Sequence, residues 1–136
     1  MSSTNTITQI PESHIDLLER PVVVTLVTVM PDGQPQATPI WADIVDGRIR
    51  VNTVVGRQKY NNMKERPQAT VLAIDPENPY RWMEVRGKVT GESLEDGDEV
   101  IDKLSRDYVG TDYQDHRPEN TRVNLYITPT RVVTGG

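Results

Sequence analysis

The sequence has no cysteine in its 136 residues, so disulfides, thiolate metal sites and thiol nucleophiles are excluded, and a reducing compartment is permitted. Phenylalanine is also absent, and hydrophobic residues make up only 35%. Packing therefore falls to Val, Ile and Leu, helped by two Trp and five Tyr. So lean a core, in a chain rich in strand patterns, suggests that some apolar surface is buried between subunits. Histidine is scarce: His14 and His116 have neither HxH nor HxxxH spacing, so no metal site is expected. No GxSxG elbow, phosphate-binding P-loop or GxGxxG fingerprint occurs, and serine hydrolysis lacks a Ser–His pairing. The net charge of −5 argues against a general nucleic-acid binder, which needs a basic face. No apolar run approaches the roughly 20 residues of a membrane span. The polar N-terminus does not read as a signal peptide, so a soluble, cytoplasmic protein without membrane partners is expected.

What is present reads as a single β-rich domain over residues 1–136, with a frayed tail over 1–8. Pro11 to Glu19 predicts a short helix, with Ile15 and Leu18 facing a core and His14 on the surface. Val22 to Val29 is apolar on both faces, as in a barrel strand that is also covered outside. Pro31-Asp32-Gly33 is turn chemistry, and Pro35 to Val45 predicts the second strand. Asp46-Gly47 is the strongest hairpin signal, followed by a third strand over Arg48–Val54, giving a three-strand meander.

A helix over Arg57–Glu65 ends at Arg66-Pro67. Strands are then expected at Ala69–Ile74 and Arg81–Glu92, where Gly87 and Gly91 mark bends or bulges. Leu94–Tyr108 has helical spacing with acidic residues early, and the Glu95, Asp96, Asp98, Glu99 group fits a helix start rather than a catalytic cluster. Gly110–Thr121 is a polar loop in which His116 stands isolated. Arg122 to Val133 closes as a strand. The whole predicts a mainly β, six-stranded antiparallel barrel with two or three peripheral helices.

One stretch carries chemistry. In Val51 to Met63 a β-branched strand stops at Gly56, and a helix bearing Arg57 and Lys59 begins at once. The first amides of a helix lack intrahelical partners and its dipole favours negative charge there, so this tip suits an anion. Arg57 in the turn and Lys59 in the first helical turn can converge on one phosphate. Alone, the same stretch also fits a solvated helix whose cations pair with Glu65 and other carboxylates. No side chain reads as a nucleophile or proton-transfer group. Any enzymatic reactivity is therefore expected from a bound cofactor.

The segments Met30–Trp41, Asp46–Thr53, Gly56–Asn62, Glu65–Leu72, Asp75–Trp82 and Val85–Val89 stand in an order that resembles the split β-barrel flavoproteins related to pyridoxamine 5′-phosphate oxidases. More narrowly they resemble the branch that uses the deazaflavin coenzyme F420. The resemblance implies a homodimer with cofactor bound in grooves at the subunit interface. It places Arg57 and Lys59 on the cofactor phosphate, with Asn62 supporting the phosphate turn. Thr38, Pro39, Ile40 and Trp41 would lie along the ring, and Asn52 and Thr53 at its edge. Tyr80 and Trp82 would reach a cofactor from the partner subunit. By themselves Trp41 and Trp82 also fit core or dimer packing, and Asn52 and Thr53 a solvent-facing strand edge. The implied activity is hydride transfer between the deazaflavin C5 and a small conjugated or quinone-like acceptor, with a proton from solvent or Tyr80 and no catalytic residue assigned. Alternatives are an FMN-binding oxidoreductase of the same fold, or a non-catalytic carrier of cofactor or haem. The chain ends at Val133-Thr-Gly-Gly136 without the basic, aromatic extension expected of a true pyridoxamine phosphate oxidase.

Overall fold

The computed structural model describes residues 7–136. Seven strands form one antiparallel sheet: β1 (Val24–Val29), β2 (Pro35–Ile40), β3 (Ala42–Val45), β4 (Arg48–Val54), β5 (Gln68–Ile74), β6 (Trp82–Ser93) and β7 (Arg122–Gly135). Their spatial order is β2-β1-β5-β6-β7-β4-β3. The two edge strands, β2 and β3, are consecutive in sequence and joined through the single residue Trp41. The sheet must therefore curl until its edges meet at that residue, which gives the split barrel. Among the described residues three helices flank it: α1 (Asp16–Glu19), α2 (Gln58–Glu65) and α3 (Gly97–Val109).

The stretch expected as one second strand is thus two. Its first half pairs with β1, Val24 opposite Ile40, and its second half with β4, Ala42 opposite Val51. One continuous strand cannot lie beside both partners once they belong to opposite sides of the barrel. Seven strands replace the predicted six for that reason, and the meander becomes a corner.

The barrel interior is filled by alternate residues of each strand, among them Val24, Leu26, Ile49, Val51, Val71, Val85, Leu125 and Ile127, with Met63 of α2 and Leu17 and Leu18 of α1 against them. The expectation that the Val22 to Val29 stretch is covered on both faces is met in part, since Thr25, Val27 and Val29 on the outer face of β1 are half-buried. Val22, Val24, Leu26 and Thr28 are buried, but Val23 on the outer face is 56% exposed. The expected bulges are present, with register shifts between β6 and β7 at Arg86/Gly87 and Val89/Gly91.

The N-terminal helix is shorter than predicted, because the chain first turns through His14 and Leu17, whose amides bond back only three residues (His14 N–H to Pro11 O, 3.1 Å; Leu17 N–H to His14 O, 3.0 Å). His14 is not at the surface. It is 5% exposed, with Nε2 3.0 Å from the Gly135 carbonyl and Nδ1 2.8 Å from the Ser13 hydroxyl, and so pins the N-terminal turn to the end of β7. The tail expected over residues 1–8 lies outside the described residues as far as Thr6, and Ile7 forms an antiparallel bridge with Val132. Among the described residues no helix is long and apolar enough to cross a membrane.

Helix α3 starts three residues later than expected, at Gly97, and is laid across the outside of β4 and β7. Gly97 is buried, and a Cβ there would collide with the carbonyl of Arg122. The helix start thus rests on the β7 backbone only because it has no side chain. Gly97→Ala should cost about 1–3 kcal/mol, the range for overpacking a filled site. A urea midpoint unchanged from the wild type would show that this contact is not tight.

Candidate functional site

β4 and β7 pair in register, Asn52 opposite Asn124 and Val54 opposite Arg122, so the end of β4 and the start of β7 deliver their side chains to one place. After Val54 the chain reverses at Gly56, whose φ of +95° is left-handed and favours glycine, and the turn closes with Arg57 N–H to Val54 O at 3.1 Å. Arg57 is extended and caps α2 without a side-chain capping bond. The first-turn amides of α2 therefore remain open donors beside Arg57 and Lys59.

Arg122 joins them. The residue is buried, 8% exposed, and its guanidinium donates from Nη1 to Asn52 Oδ1 (3.1 Å) and from Nη2 to the Tyr113 hydroxyl (3.0 Å). It also lies 4.8 Å from the centroid of the Tyr113 ring. Among the described residues none of Arg57, Lys59 and Arg122 forms an ion pair with a carboxylate. Burial, then the fields of Arg57 and Arg122, hold the Lys59 ammonium below the usual lysine range. Asp115 feels Arg122 and Arg57 weakly but spends its hydrogen bond on Arg117 Nε at 2.8 Å. Three cations without a counter-charge, one of them nine-tenths buried, form a site for an anion.

Beside this cluster opens a pocket of about 390 Å³, lined by Pro39, Ile40 and Trp41 from the barrel corner, Ile101 and Leu104 from α3, and Asn52, Arg57, Tyr113 and Arg122. Its volume is in the range of small-molecule sites. Trp41 is stacked on Tyr108 (5.4 Å between centroids, 19° between planes) and meets Tyr113 edge-on at 6.5 Å. The Tyr108 hydroxyl in turn accepts the Ala42 N–H at 3.2 Å and lies 2.9 Å from the carbonyls of Val22 and Ala42. The aromatic wall is thereby tied to the corner that shapes it.

The structure brings together five of the sequence-proposed residues, Pro39, Ile40, Trp41, Asn52 and Arg57, and sets Lys59 close enough to feel Arg57 and Arg122. The others stand elsewhere. Thr38 sits opposite Leu26 on β2, outside the pocket lining. Thr53 is buried and follows the interior-facing Val51 by two residues, so its side chain points away from Asn52; its hydroxyl has no partner among the described residues.

Asn62 is fully buried and works as a dock for α2, donating to Thr28 Oγ1 (3.0 Å) and accepting from Gln58 Nε2 (2.8 Å) and Arg66 Nη2 (3.1 Å). The side chain that touches the glycine turn is its neighbour Asn61, whose amide donates to Gly56 O at 3.3 Å. Tyr80 is 84% exposed, and Trp82 begins β6 opposite Gly135, so neither lines this pocket within one chain. Among the described residues no group of three or more His, Asp or Glu is placed to hold a metal ion.

Sequence reasoning missed Arg122 and Tyr113. Arg122 opens a strand and reads as an ordinary strand-end charge, and only the β4–β7 register puts it beside Gly56. Tyr113 belongs to a polar loop that α3 organises: Asp102 accepts the Tyr113 N–H (2.9 Å) and bonds His116 Nε2 (2.8 Å). His116 is therefore partnered, not isolated. Its hydrogen bond is the largest influence holding the Asp102 carboxyl below the usual range.

Lys59 must be charged to hold an anion, and its lowered pKa means that it loses its proton at lower pH than a free lysine. Affinity for an anionic ligand should fall as pH rises through that lowered value, and Lys59→Arg should move the fall to higher pH. Lys59→Ala should weaken binding by about 1.5–3 kcal/mol, the scale of a charge-assisted hydrogen bond. Titrations between neutral and alkaline pH test both, and an affinity indifferent to Lys59 would place the anion elsewhere.

A family model described as pyridoxamine 5′-phosphate oxidase matches residues 10–134. Among solved structures, an F420 reductase is 36% identical with a TM-score of 0.81, covering 91% of this chain and 98% of its own. A conserved hypothetical protein from Mycobacterium tuberculosis is 23% identical with a TM-score of 0.68, covering 98% of this chain and 89% of its own. HupZ from Group A Streptococcus is 18% identical with a TM-score of 0.66, covering 92% and 93%. These last two likenesses speak to the fold alone. No curated protein matches by sequence. With a matching model over nearly its whole length, and a barrel shared with that reductase, the chain belongs to the pyridoxamine 5′-phosphate oxidase family of split β-barrel proteins.

Proposed function

We propose that the protein is an F420-dependent reductase that passes hydride to a small conjugated or quinone-like acceptor. The broader class, an oxidoreductase working with a flavin- or deazaflavin-type cofactor, rests on the family match and on the likeness to an F420 reductase. The observation that carries the reading to this site is the unneutralised cation group beside an aromatic and aliphatic pocket. A phosphoryl-bearing planar molecule needs both halves: donors and positive charge for one end, a dry flat wall for the other.

The fit can be followed residue by residue. Arg57, Lys59 and the open amides of α2 would hold the phosphoryl end, with Gly56 letting the backbone turn close to it. Trp41, Ile40 and Pro39 would face the ring system from one side, and Ile101 and Leu104 would exclude water from behind. When bound, F420 supplies hydride from its C5 carbon. The residues of this chain then have a positioning task, holding ring and acceptor within the roughly 3–3.5 Å at which transfer is productive. No side chain is assigned a chemical step. Tyr80 stands outside the pocket of its own chain, so a proton from it would require the partner subunit.

The exposed side chain of Val23, just before β1 and on the pocket lip, favours a homodimer in which a second copy completes the groove and brings Tyr80 and Trp82 toward the ligand. Titration of the purified protein with F420 beside FMN should quench tryptophan fluorescence, because Trp41 forms the pocket wall, and F420 should bind more tightly. Sedimentation should give a dimer. Absence of F420 binding at tens of micromolar removes the deazaflavin reading, and tighter FMN binding replaces it with the flavin one.

A further inference from the structure

Arg122 is placed differently from the other two cations. Arg57 is exposed and Lys59 half-buried, both at the tip of α2, where water and open amides surround a ligand. Arg122 lies in the wall of the pocket with Ile40, Trp41, Ile101 and Leu104, and among the described residues its guanidinium bonds two neutral oxygens, Asn52 Oδ1 and the Tyr113 hydroxyl. The ring of Tyr113 covers one face of the guanidinium.

Asn52 has little left to offer a ligand. Its amide donates to Gly97 O (2.9 Å) and Asn124 Oδ1 (2.9 Å), and its oxygen takes Arg122. Asn124 is itself held by Asp96 Oδ1 at 2.9 Å and Ser93 Oγ at 3.3 Å. This chain of bonds fixes the guanidinium rigidly while supplying no negative charge within ion-pairing distance.

A localised, strongly hydrated phosphoryl group is best served at the wet helix tip. A charge spread over a planar ring is weakly hydrated, and suits a planar, weakly hydrated guanidinium in an apolar wall. We propose that Arg122 is the counter-charge for negative charge delocalised over the ring system of the bound ligand, while Arg57 and Lys59 serve its phosphoryl group. The proposal rests on the reading of the site as a deazaflavin pocket. There Arg122 would tune the ring's electronics rather than anchor the ligand.

The ring hydroxyl of F420 ionises to such a delocalised anion, and its visible absorption reports the ionisation. Bound to the wild type, that hydroxyl should titrate at least about one pH unit below the free cofactor, a tenfold preference for the anion. Arg122→Gln should abolish the shift and Arg122→Lys keep part of it. Lys59→Ala should weaken binding yet leave the shift in place.

The charged or titratable groups around Arg122 are Arg57 from the turn, Lys59 from α2, and Tyr113 and Asp115 from the loop, with His116 and Asp102 of α3 one contact further out against Tyr113. Asp115→Asn therefore serves as a control that should leave the shift in place. A wild-type complex whose ring hydroxyl titrates like the free cofactor overturns the proposal, whatever becomes of the variants. So does a shift that survives Arg122→Gln. A wild type that binds no F420 removes the deazaflavin reading and this inference together, whereas binding without the shift removes this inference alone.

Discussion

Three positive charges that repel one another are held together at the mouth of this barrel, and the fold has to be rigid enough to keep them there. Burial and the fields of the two arginines hold the Lys59 ammonium below the usual lysine range, and Arg122 is buried beside it in the pocket wall. What keeps the three in place is covalent and hydrogen-bonded geometry: the β4–β7 register, the left-handed turn at Gly56, and the Asn52–Asn124–Asp96 bonding behind Arg122. Stability is given up locally to keep a binding surface organised before its ligand arrives, a common property of functional sites.

The rest of the architecture serves that arrangement. Closing the sheet at Trp41 brings an aromatic wall to the mouth of the barrel, and Tyr108 of α3 locks the corner by bonding Ala42 and the Val22 carbonyl. The close seat of α3 on β7, permitted by Gly97, puts Ile101 and Leu104 behind the pocket and Asp102 where it can organise the Tyr113 loop. Carboxylates are abundant elsewhere, and several are engaged in ion pairs. Asp43 pairs with Arg50 and Lys103, and Asp75 and Asp16 pair with Arg81. What sets Arg57, Lys59 and Arg122 apart is that cations without an ion-pair partner among the described residues stand close to one another beside a pocket, with Arg122 buried.

Much of the fold was legible from short-range signals. Asp46-Gly47 gave its hairpin, Gly87 and Gly91 gave the irregular register of β6, and Gly56 gave the turn that carries Arg57. Each depends on backbone freedom that a residue type confers within a few positions. The failures share a different cause. His14 and His116 looked solitary because their partners, Gly135 and Asp102, are distant in sequence or on another element. Asn62, which the resemblance assigns to support of the phosphate turn, donates its amide to Thr28 on β1, a partner that its neighbours in sequence do not reveal.

The sequence by itself determined most of the alternation of strands and turns and the glycine-led helix tip, since these follow from residue identity and local spacing. Tertiary structure alone decided that one predicted strand breaks at Trp41, that Asn52 rather than Thr53 faces the pocket, and that Arg122 joins Arg57 and Lys59. Those outcomes depend on which strands become neighbours. Pairing across roughly seventy residues, as between Asn52 and Asn124, is set by the global closure of the barrel and leaves no mark in a local pattern.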